Sequence, residues 1–167
     1  MTDNFSKIYE KLQRKHLRQN MHRVWKTAQS GEIDKLSEED YKLLVIMQGH
    51  EQFHDQFDNA DALTEYEYDP ETEVNPFLHI AIHQMVEDQI TSNEPMEASL
   101  FLEAMEDRGH SRHDILHLIS MILIQITCHT LLKQKPFDEF RYRQILKRYI
   151  NLTPEDIPEA LDSEFKG

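Results

Sequence analysis

The sequence predicts an all-α fold, a single-domain helical bundle of about six to seven helices around a central buried helix. Three observations carry that expectation. Glycine and proline are scarce, at 4 and 6 of 167 residues, so the places where a helix must break are few. Apolar residues recur at three- and four-residue spacing, and no alternating run marks a strand. The breaks that do occur coincide with cap signals: Ser37 with Asp40, Asn75-Pro76, and Ser111 with Asp114. The length suits one domain, and 39% apolar residues suffice for one modest core.

The elements follow in order. Phe5, Ile8, Leu12, Met21, Val24 and Trp25 keep helical spacing from Asn4 to Ser30, where Gly31 ends the run. Lys11, Arg14, Lys15 and Arg18 are spaced like one solvated, basic face of this helix. A second helix is capped by Ser37 and continues through Leu43, Val45, Ile46 and Met47 to about Phe57. Residues 58–74 are acidic and weakly periodic, which predicts a mobile surface loop. Asn75-Pro76 opens a third helix to about Thr91, and Pro95 opens a short fourth that closes at Gly109. Ser111 starts the fifth, apolar nearly all round to about Lys133, as a helix enclosed by others should be. Lys135-Pro136 interrupts it; a sixth helix spans about Asp138 to Ile150, and Thr153-Pro154 signals a short terminal one.

Charge and cysteine content narrow the function classes. A net charge of -13 repels phosphate backbones, so no nucleic-acid partner is expected. No continuous apolar run of the roughly 18 residues that span a bilayer is read, and the N-terminus lacks a basic, then apolar leader. The expectation is a cytoplasmic protein with no membrane partner. Cys128 is the one cysteine, so a thiolate cluster is excluded and any metal must be held by imidazole and carboxylate.

Six of the ten histidines fall into pairs four residues apart: His50 with His54, His79 with His83, and His113 with His117. Random placement would give on the order of half a pair. Positions four apart project from one helix face, so two imidazoles can converge on one ion or on two neighbouring ions. His79 and His83 share their face with Ile82, Val86 and Ile90, and His50 and His54 align with Leu43, Met47 and Phe57. Ile124 and Leu131 lie on the side of His113 and His117, which predicts that this pair is also enclosed. Glu87, one turn beyond His83, completes a His-x-x-x-His-x-x-x-Glu stripe whose carboxylate could bridge two ions. The expected donors are therefore His50, His54, His79, His83, Glu87, His113 and His117, converging on a divalent ion, iron or zinc. Glu51, Asp55 and Asp114 flank them as acceptors for the free ring N–H groups.

The run Asn75-Pro76-Phe77-Leu78-His79-Ile80-Ala81-Ile82-His83, followed by Glu87-Asp88-Gln89, resembles the signature of an uncharacterised bacterial family, domain of unknown function 1841. The likeness covers about Leu44 to Ile126, with the other two histidine pairs in matching order. It implies a shared fold and site but supplies no activity. In ligand type the arrangement is also similar to hemerythrin, a four-helix di-iron protein. Two other readings compete with a metal centre of unknown reaction. One is a non-enzymatic interaction module that docks through its acidic loop or basic first helix. The other is a metal-dependent phosphohydrolase of the HD type, suggested by the dipeptide His113-Asp114 and weakened because Asp114 also suits the helix start.

Overall fold

A computed structural model describes residues 15–69 and 72–165. Among these residues there are eight α-helices, two short 3-10 segments and no strand, as the scarcity of glycine and the helical periodicity require. The helices are α1 (Lys15–Gln29), α2 (Glu38–Gln48), α3 (His54–Asp58), α4 (Pro76–Ser92), α5 (Met96–Asp107), α6 (Arg112–Leu132), α7 (Glu139–Tyr149) and α8 (Ile157–Phe165). Residues 4–14 of the expected first helix lie outside the described residues. The packing divides into two compact units, with the boundary between Gln84 and Met85.

In the first unit, Met21, Val24 and Trp25 of α1 form one core with Leu43, Leu44 and Met47 of α2, with Phe57 and Ala60, and with Phe77, Ile80 and Ala81 of α4. The terminal helix signalled at Thr153-Pro154 starts only at Ile157, and the expected second helix departs most from the sequence reading. It stops at Gln48 and resumes, after a 3-10 turn at Glu51–Phe53, as the five-residue α3. Glycine at 49 lowers the cost of stopping there, since in a helix interior it is about 1 kcal/mol worse than alanine. His50 then leaves the helical region, at φ -118° and ψ 65°. Its amide bonds Met47 O at 3.1 Å, and its ring Nδ1 takes the carbonyl of Ile46 at 2.7 Å. The side chain thus replaces the backbone bond that a continued helix would have made.

The acidic segment after Asp58 has defined anchors on the basic helix α1. Arg18 donates to the carbonyls of Leu63, at 2.5 Å, and Tyr66, at 2.6 Å, while Lys15 pairs with Glu65. Trp25 Nε1 and Gln29 Nε2 both donate to Asp58 Oδ1, at 2.9 and 2.6 Å. Two of the links are ion pairs, Lys15 with Glu65 and Lys26 with Asp58, while Arg18 is held by backbone carbonyls.

In the second unit, α5, α6 and α7 pack on one another and α8 packs on α6. Ile115, Ile119, Ile122 and Ile126 of α6 are fully buried against a core that includes Phe101, Met105, Tyr142 and Ile145. Ser111 caps α6 by accepting from the amide of Asp114, and Asp138 caps α7 by accepting from that of Arg141. The α6 helix is less enclosed than its composition suggested, because Ile124, Leu131 and Leu132 are exposed. It also corrects the expectation of no membrane-length apolar segment. It has 21 residues, and an 18-residue window within it is apolar enough, by length and composition alone, to cross a membrane. His117, Ser120, Gln125 and Thr127 interrupt the run and hide that window from a search for continuous apolar residues.

Candidate metal centre

Three imidazoles come together in the first unit. His79 and His83 stand on successive turns of α4, a helix started by Asn75, whose Oδ1 accepts from the amides of Phe77 and Leu78 at 3.1 Å each. Their ring centroids are 4.9 Å apart. His50 arrives from the break after α2, with its ring 4.9 Å from that of His79 and 4.6 Å from that of His83, edge-on to both. One ligand nitrogen of each lies within 4.8 Å of those of the others. Nitrogens around a tetrahedral ion bound at about 2.0–2.1 Å stand about 3.3 Å apart, so small ring rotations would close the set.

The environment is apolar and mostly closed. His50 and His83 are 1% and 2% exposed, and His79 is half-buried. Phe53 lies parallel to the His50 ring at 6.1 Å and edge-on to His79 at 5.2 Å. A carbonyl oxygen only accepts, so Nδ1 carries a proton towards Ile46 O, and in the neutral ring Nε2 is then the atom with the lone pair. An imidazole prepared this way is an Nε2 metal ligand.

Each of the other expected donors has contacts within its own unit. His54 opens α3, not the second helix, and packs at 4.7 Å against Trp25, with its Nε2 buried and without a hydrogen-bond partner among the described residues. The expectation that His50 and His54 share one helix face therefore fails at the break. His113 and His117 pack ring to ring at 4.4 Å on α6, but His113 is exposed and His117 half-buried, because the first turn of that helix is solvated. Glu87 keeps 29% of its side chain exposed, and its Oε2 accepts from Arg112 at 2.7 Å.

Glu51, Asp55 and Asp114 are exposed. Asp114 serves the start of α6, accepting from Ser111 Oγ at 2.6 Å, which is the capping role that competes with an HD-type site. The acceptor that orients His50 is a backbone carbonyl, which residue types cannot reveal. Phe53 also escaped the sequence reading, although its place three residues after His50 was a usable signal.

The family model described as Domain of unknown function (DUF1841) matches residues 13–148. Neither the curated proteins nor the solved structures provide a significant match.

Proposed function

The chain belongs to the Domain of unknown function (DUF1841) family, and from that premise we propose that it binds a divalent transition metal, zinc or iron, through His50, His79 and His83. The supporting observation is the convergence of these three imidazoles, two of them buried, within 4.8 Å. Imidazoles this close repel one another as cations, whereas neutral rings can turn their lone pairs to one ion. Bound there, zinc would supply an acidified water and iron an open position for oxygen chemistry. The protein contributes the orientation of His50 through Ile46, a dry wall at Phe53, and the i,i+4 pair on α4.

The wider donor set read from the sequence stays within the proposal on different terms. His113 and His117 can chelate as an i,i+4 pair on their own helix. Glu87 would first have to leave Arg112, so the assignment rests on imidazoles. A cytoplasmic setting without nucleic-acid or membrane partners belongs to the same reading, on the net charge of -13. The interaction-module reading is weaker because its two docking surfaces, basic α1 and the acidic segment, bind each other.

The test is elemental analysis of tag-free protein, followed by equilibrium dialysis against zinc and iron(II). Near-stoichiometric metal, lost in His79→Ala/His83→Ala, is the expected result. A wild-type protein that retains no metal after dialysis at micromolar concentrations would end the proposal.

A further inference from the structure

A second site lies in the other unit, at the turn between α6 and α7. A cavity of about 420 Å³ opens there, lined by His129, Lys133, Lys135, Phe137, Asp138 and Arg141 among others. That volume falls in the range of small-molecule sites, roughly 300–1,000 Å³. In a chain of net charge -13, these walls gather three permanent cations and one carboxylate. The carboxylate is already engaged, since Asp138 Oδ1 accepts from the amide of Arg141 at 2.9 Å as the cap of α7.

Arg141 is held in place. Its guanidinium lies 4.2 Å over the ring of Phe165, NH2 donates to Glu164 O at 2.7 Å, and NH1 lies 3.5 Å from His129 Nε2. Burial, with the nearby charges of Lys133, Arg141 and Lys135, pushes the His129 imidazolium below its usual range, so the ring adds a neutral donor or acceptor and no further charge. Lys133 and Lys135 are exposed, free to move onto a ligand. Phe137 adds an apolar wall.

We propose that this cleft binds a small phosphate monoester with a compact apolar body. Its two negative charges match the two exposed lysines, which supply N–H donors to the phosphoryl oxygens together with Arg141, whose guanidinium also lies 3.8 Å from the Glu164 carboxylate. The ester's apolar part lies against Phe137. A monocarboxylate leaves one cation unmatched and binds more weakly.

The probe is phenyl phosphate, titrated calorimetrically into the full chain with chelator present, so that phosphate cannot report on a bound metal. Benzoate and phenol are the comparison ligands. Phenyl phosphate should bind with Kd below about 1 mM, about tenfold tighter than benzoate, with phenol silent. Lys133→Glu/Lys135→Glu, whose side chains are exposed, should keep its helical circular dichroism and lose about tenfold or more in affinity. Three results each overturn the proposal: no heat with phenyl phosphate, equal binding of benzoate, or an unchanged Kd in the variant. Any of them would leave Lys133 as a charge that offsets the carbonyl end of α6.

Discussion

The two units bury polar groups in opposite ways. In the second, the carboxylate of Glu97 is 1% exposed in its side chain and meets two cations: Arg143 at 2.9 Å and Lys147 at 3.0 Å, both from α7. In the first, imidazole faces imidazole at 4.6 to 4.9 Å. The Glu97 cluster carries its counter-charges within the chain, so its geometry explains itself as structure. Neutral imidazoles facing one another can turn their lone pairs to one cation, which is what the proposed function rests on. The comparison teaches that burial alone does not nominate a site; burial among groups of the same kind does.

The largest effect expected from this contrast is on metal. His79→Ala/His83→Ala should weaken binding about 100-fold or more and abolish the metal-dependent rise in melting temperature, which at 100-fold excess over Kd corresponds to about 2.7 kcal/mol. His113→Ala/His117→Ala, with the same spacing but a solvated first turn, should change affinity about tenfold or less. Dialysis of both variants in parallel decides it, and the reverse ranking would move the centre to α6.

The next effect is in the second unit. Arg143→Ala/Lys147→Ala strands the Glu97 carboxylate and should cost about 1–3 kcal/mol, discounted because both cations are partly exposed. Urea unfolding with and without chelator would show this loss to be independent of metal, unlike the histidine variant.

pH sharpens the same contrast. Burial opposes ionisation of Glu97, yet the hydrogen bonds from Arg143 and Lys147 outweigh it and bring its carboxyl down to about 2. A folded value below the unfolded one, roughly 4.3, means that the stabilisation is complete above that pH and is lost as pH falls towards 2. Acid titration of Glu97→Gln should be flatter than wild type in that window. A superimposable curve would show that the pair contributes nothing. The smallest effects belong to the helix start. Ser111→Ala should lower stability by about 1 kcal/mol, and Glu87→Gln, which loosens a partly exposed pair with Arg112, by less than about 1 kcal/mol in chemical denaturation.

Much of this was legible in the sequence because it rests on local chemistry. The caps at Ser37, Asn75 and Ser111 placed three helix starts to within a residue. The pair on α4 was legible for the same reason, since one continuous helix carries both rings. His50 was identified as a donor for an incomplete reason: its ring is aimed by the helix break and by Ile46 O, while His54 goes to Trp25. Spacing counts residues along an ideal helix and cannot register where a side chain outcompetes the backbone. The pairing of Glu87 with Arg112 was hidden for another reason. It joins residues 25 apart in the chain, beyond any periodic pattern. The anchoring of the acidic segment on α1 is of the same kind, with Arg18 reaching residues 45 to 48 positions away.

Trp25 is the one tryptophan in the chain, 7% exposed, packed on His54 and Phe57 and hydrogen-bonded to Asp58. Its emission is therefore an optical label for the first unit alone, already in place without engineering. Far-ultraviolet circular dichroism, by contrast, sums helices from both units. A thermal scan followed by the two signals at once measures whether the chain melts as one cooperative body: coincident curves mean that it does, and separated curves give each unit its own midpoint.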